Sequence, residues 1–207
     1  MKRKLPLETW DRKPHFDFFR AFDEPYHGVC VRVDCTQLYQ FAKQKGASVF
    51  LCYLHCSLAA AQEIQPFKYR IEGDGVVIYD QIDAGSTVAR ANGTFGYGYF
   101  PYLPQLDDFL ISANREVERV RASSDLERSE ATNLIRYSAL PWLDFTSLSH
   151  ARMFSRPDSC PRISFGKITE TAGQKSMPVS IHVHHALVDG RDVGNYIESF
   201  QDLLNHR

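Results

Sequence analysis

His185 and Asp189 are a pair whose residue types and spacing suit proton transfer. They lie in the run His184-His185-Ala-Leu-Val-Asp189-Gly190. Imidazole titrates near neutral pH, so it can be uncharged and still basic. A carboxylate four residues on can orient the ring or the loop that carries it. A general base needs such rigid support close to the surface. A lone histidine is more often structural or solvated, so the pattern must carry the assignment for any of the eight in this chain. Ser138, followed by Leu140-Pro141, offers a hydroxyl at the end of an apolar stretch. Taken alone it reads as a turn residue.

These groups need elements to hold them. Val179, Ile181 and Val183 alternate with Ser180, His182 and His184, which predicts a strand with one buried face. His185 falls at its end, and His184, on the opposite side of the alternation, reads as structural. Gly190 lets the chain turn. From Asp192, the spacing of Val193, Tyr196, Ile197, Phe200, Leu203 and Leu204 predicts a helix. The base thus sits between a strand and a helix.

Upstream, Val29, Val31 and Val33 alternate as a strand. Thr36 is expected to cap a short helix closed by Gly46, and Ser48 a second one reaching about Ile64. The second helix is apolar on nearly all sides and should be central. Gly73-Asp74-Gly75 between Phe67–Glu72 and Val76–Asp80 is a hairpin signal. Strands are expected over 87–89, 94–99, 134–140 and 163–168, and an amphipathic helix over 104–121, with a polar loop at 122–132. The segment from Trp10 to Phe19 shows no period and reads as an N-terminal arm. Strands and helices mix without strict alternation, which argues for α+β or a mixed sheet in one domain, 1–207.

Composition narrows the function classes. The 207 residues are 43% hydrophobic, with 14 Phe and 10 Tyr, enough for a sizeable core. A net charge of −1 gives no reason to expect nucleic acid or an anionic membrane as partner. The apolar run from Val49 to Ala61 falls short of the ~20 residues of a membrane span. The N-terminus has basic residues but no apolar stretch of the signal-peptide kind. Five cysteines, none at zinc-site spacing, fit a reducing cytoplasm and no metal.

The His-His-x-x-x-Asp-Gly run resembles the signature of the CoA-dependent acyltransferase superfamily. Ser138-Ala-Leu-Pro-Trp142 resembles a segment of the chloramphenicol acetyltransferase family within it. Trp10, Arg12, His15 and Phe16, then Thr94-Phe95 and Pro101-Tyr102, match the same family in order, so the resemblance runs from about residue 8 to 205.

The resemblance implies an α/β (α+β) two-layer sandwich, a mixed β-sheet with helices packed on one side. It implies a homotrimer whose sites lie between subunits, and acetyl-CoA as co-substrate with no metal. His185 would be the general base and Ser138 the hydroxyl that binds the oxyanion. Asp189 would pair with Arg12 and fix the loop. Ser164 would stand where the family has a threonine beside a water. Phe19, Phe95, Leu148, His150 and Arg162 would line the acceptor pocket, with Asp158 beside them. The acceptor implied is chloramphenicol, with a different, more polar alcohol as the alternative. A non-catalytic ligand-binding homologue is disfavoured, because His185, Ser138, Asp189 and Arg12 are all present. His150, Asp158 and Arg162 are polar where the family is apolar, so they must be paired, exposed or meet a polar substrate. Arg136 replaces a small polar residue.

Overall fold

The computed structural model describes residues 1–155 and 158–206; Arg156, Pro157 and Arg207, part of the expected 1–207 unit, lie outside the described residues. In chain order these form β1 (Lys2–Lys4), α1 (Lys13–Phe19), β2 (Tyr26–Asp34), α2 (Thr36–Lys45), α3 (Val49–Glu63), β3 (Tyr69–Glu72) and β4 (Gly75–Tyr79). There follow β5 (Asp83–Ala89), β6 (Phe95–Phe100), α4 (Leu106–Ala122), β7 (Leu134–Ala139), β8 (Arg162–Phe165), β9 (Thr169–Thr171), β10 (Gln174–His184) and α5 (Gly190–Asn205).

The main sheet has the order β2-β10-β8-β7-β5-β6, with β9 added to β10. It is parallel at β5–β7 and β7–β8 and antiparallel elsewhere. A second, small sheet has the order β1-β4-β3. The class is α/β with a mixed sheet, as the sequence implies.

Strand alternation gives the main sheet two unlike faces. Tyr137, Ile163, Ile181 and Val29 form one cross-strand row, and Phe165, Val179 and Val31 another. This face packs on the helices: Phe165 meets the rings of Tyr53 from α3 and Phe200 from α5. Ser57 of α3 bridges the hydroxyls of Tyr137 at 2.8 Å and Tyr196 at 2.6 Å, which satisfies three polar groups inside the core. α3 is buried over almost its whole length. Ser48 caps it by accepting from the Leu51 N–H.

The other face is polar. Ser138, Ser164, Ser180 and Cys30 form one row, and Arg136, Arg162, His182 and Gly28 the next. Parallel neighbours need a crossover. Between β7 and β8 it is a long segment, 140–161, whose described part contains neither helix nor strand. It lies over the polar face: Phe145 O accepts from Cys30 Sγ and Ala151 O from Arg162. Ser164 and Ser180 are therefore buried despite their chemistry.

Three local expectations change. The N-terminal arm contains α1. Only Phe16 of its seven residues is buried, so the sequence carries no period; Trp10 anchors the turn by packing on Phe16 and Tyr69. α2 is capped at Cys35, not Thr36, whose hydroxyl accepts from Lys175 N–H. α5 begins at Gly190 because Asp189 and Asp192 form a capping box.

Candidate active site

β10 delivers His185 one residue past its end. The His185 N–H donates to Pro25 O at 2.8 Å, and its carbonyl accepts from Arg12 Nη2 at 3.2 Å. Its ring stacks on Phe19 with centroids 3.9 Å apart and 14° between planes. The ring of His27 lies 4.3 Å away on another side. Nδ1 is buried with no partner among the described residues. Backbone and ring are thus both held.

Arg12 and Asp189 form an ion pair, 21% and 37% exposed. Asp189 Oδ2 receives Arg12, while Oδ1 receives the N–H groups of Arg191 and Asp192. Partial burial opposes its ionisation, but the Asp192 N–H and the Arg12 guanidinium outweigh it and hold the carboxyl below its ordinary range. One carboxylate therefore starts α5 and fixes the arginine that grips His185. Phe19, expected in the acceptor pocket, stacks directly on the His185 ring. His27 was missed by sequence reasoning; the one signal for it is its place on β2 opposite Val183.

Ser138 lies elsewhere. It is half-buried at the end of β7, with Thr87 Oγ1 at 3.5 Å from its hydroxyl. Its row partners are Ser164 and Ser180, and both of those hydroxyls are buried without a partner among the described residues. His185 is five residues beyond Ser180 along β10. At ~3.3 Å per residue and two strand spacings of ~4.8 Å, Ser138 and His185 of one chain stand roughly 20 Å apart. One chain does not bring them together.

The remaining expected pocket residues fall near Ser138 or between the two ends. Phe95 is 43% exposed at the start of β6. Leu148 and His150 belong to the crossover. The His150 ring packs edge-on to His182 at 4.9 Å. Burial, then the neighbouring His182 ring and the Arg162 guanidinium, lower its pKa to about 4. Arg162 donates to Asp158 Oδ2 at 2.9 Å and Ala151 O at 2.8 Å, so these two charges pair with each other. Tyr26 OH also donates to Asp158, at 2.9 Å. The expected need for pairing is met inside the chain for Asp158 and Arg162, whereas His150 Nε2 is buried without a hydrogen-bond partner among the described residues. Buried among these, His184 is kept neutral, its pKa lowered to about 4 by burial and then by Arg152. Among the described residues, no cluster of three or more His, Cys, Asp or Glu could hold a metal, and no helix is long and apolar enough to cross a membrane.

A mixed sheet of this topology, with a held imidazole at one strand end, has the architecture of acetyltransferase cores. The solved dihydrolipoamide acetyltransferase of Azotobacter vinelandii superposes with TM-score 0.66 at 18% identity over 93% of this chain and 86% of its own, a likeness of fold alone. The family described as chloramphenicol acetyltransferase matches residues 2–201, and the chain belongs to it. Chloramphenicol acetyltransferase 3 of Escherichia coli is 25% identical over 99% of this chain and 97% of its own length. A solved chloramphenicol acetyltransferase is 34% identical, with TM-score 0.91, covering 99% of this chain and 100% of that one. The chain is an acetyltransferase of this family.

Proposed function

We propose that the chain transfers an acetyl group from acetyl-CoA to an alcohol, at a site completed by a second copy of itself. His185 of one copy would work opposite Ser138 of its neighbour. The observation that carries this reading is the register of the sheet: Ser138 is aligned through Ser164 with Ser180, two strands away and five residues before His185, which at ordinary strand spacings is roughly 20 Å. A cyclic trimer presents each end of the sheet to a different neighbour and repeats the site three times.

In this reading His185 Nε2 takes the hydroxyl proton as the alcohol oxygen attacks the thioester carbonyl. The tetrahedral oxyanion accepts a hydrogen bond from Ser138 Oγ–H, a donor of a kind worth ~3–4 kcal/mol in a barrier. Collapse expels the CoA thiolate, which recovers the proton from the imidazolium, leaving free CoA and the acetyl ester. Arg12 and Asp189 move no proton; they hold the loop. The surroundings read as the reducing cytoplasm, and the common hydrophobic core supports one domain over 1–207.

The relatives are named for chloramphenicol. For this chain we expect chloramphenicol to be acetylated with a high KM, because Arg136, His150, Asp158 and Arg162 give the acceptor side a polar lining. That lining favours a more polar alcohol. A thiol-release assay with acetyl-CoA, chloramphenicol and a panel of alcohols tests the transfer. The shared site is tested by mixing two dead variants, His185→Ala and Ser138→Ala. Subunit exchange pairs an intact base with an intact serine in about a quarter of the sites of a shared-site trimer. No recovery after exchange, or full activity from a monomer by light scattering, refutes the shared site.

A further inference from the structure

We propose that the acceptor alcohol carries an anion, a carboxylate or a phosphate, and that Arg136 is the residue that binds it. The inference rests on Ser138 marking the acceptor side of the site.

Arg136 stands two residues before Ser138 on β7, so both side chains leave the same face of the sheet. Its Cα partner on the adjacent parallel strand is Arg162. Neighbouring strands are ~4.8 Å apart, and like charges placed side by side at that spacing repel. Only one of the two is neutralised. Arg162 is engaged by Asp158. Among the described residues, the Arg136 guanidinium makes no hydrogen bond or ion pair, and its Nε is buried without a partner. Asp158 is near enough for Arg136 to lower its pKa, but that carboxylate already receives Arg162, Tyr26 and the Cys160 N–H.

The space in front of Arg136 suits a ligand. An open cavity of about 460 Å³ lies there, lined by five arginines and two acids, Asp158 and Glu130. Arg128 stands at its rim, exposed, with no hydrogen bond or ion pair among the described residues. A fold gains nothing from an uncompensated guanidinium beside another one. An anion entering the cavity would restore the balance and satisfy the planar donor fork, which fits carboxylate and phosphate in a bidentate way. A neutral ligand would leave it unmet.

The test uses matched alcohols that differ in charge: hydroxymethylbenzoate against its methyl ester, and glycerol phosphate against glycerol. The native enzyme should favour the anionic member of at least one pair by roughly tenfold to hundredfold in kcat/KM, the worth of a hydrogen bond to a charged group. Which pair responds separates carboxylate from phosphate. The ratio should fall toward one in Arg136→Met and be partly kept in Arg136→Lys. Equal rates within both pairs, or a preference that survives Arg136→Met, overturn the proposal. If no alcohol is acetylated, chloramphenicol included, the transfer reading fails, and calorimetric binding of the same probes decides the anion site. Tighter binding of an anionic member that is lost in Arg136→Met supports it; equal or absent binding refutes it.

Discussion

The two ends of the polar sheet face are built on opposite plans. At the His185 end nearly everything is fastened. The backbone is held by Pro25 and Arg12, the ring lies on Phe19, and Arg12 is itself fixed by the cap of a helix. At the Ser138 end several polar groups lack partners among the described residues: the Ser164 and Ser180 hydroxyls are buried unsatisfied, and Arg136 is unmatched. A group that takes a proton must be aimed before the substrate arrives. Groups that bind a substrate can be left open, since the ligand supplies what is missing. The difference is between a part whose groups partner one another within the fold and a part with several groups left without partners among the described residues.

The strongest way to break the comparison is to remove its two poles. His185→Ala should lower kcat by roughly 10²–10⁴, the range of a positioned acid–base group, with acetyl-CoA binding retained. Ser138→Ala should cost roughly 10²–10³ in kcat. Steady-state kinetics on the best acceptor measures both. Near-native turnover in either variant removes that residue from the chemistry.

Asp189 sharpens the contrast, because substitution can separate its two duties. Asparagine caps a helix about as well as aspartate, whereas alanine does not. Asp189→Ala should lose about 1–2 kcal/mol of stability. Asp189→Asn keeps the cap and breaks only the half-exposed pair with Arg12, so its melting temperature should stay near the native value while kcat falls. If kcat is untouched in the asparagine variant, the ion pair does not position the base.

A further effect, of similar size in stability, is expected from acid. His184 is buried and stays neutral to about pH 4, while an unfolded histidine protonates near its ordinary value of 6.5. Between those values the unfolded chain binds the extra proton, so stability falls as pH drops from 6.5 toward 4. At pH 5 the loss from His184 is about 2 kcal/mol. His150 acts in the same direction. Denaturant melts at pH 7.5 and pH 5 should show a smaller difference in His184→Gln than in the native chain. An unchanged difference would exclude His184 as a source of acid sensitivity.

Much of this was legible in the sequence where one face of an element is buried. β10 showed its alternation, and α3 announced its central place by being apolar all round. The resemblance supplied Arg12 as partner of Asp189, though the two are far apart in the chain. Other features left little trace. α1 has a single buried anchor, and β1, Lys-Arg-Lys, is held by backbone pairing to β4 with all three residues exposed. The stacking of Phe19 on His185 and the closeness of His27 depend on the turn between α1 and β2, which has no periodic code. The pairing of Arg162 with Asp158 required knowing how the crossover returns over the sheet. The separation of Ser138 from His185 followed only from strand order and register.

The double use of Asp189 has a dynamic consequence. The Arg191 and Asp192 amides it caps are also the reporters of its grip on Arg12. Fraying the first turn of α5 releases the guanidinium, and with it the carbonyl of His185. Helix breathing and loss of the Arg12 grip on His185 would then be coupled, sharing one opening free energy. Exchange rates of those two amides would time how often an otherwise folded molecule stands with its base unaimed.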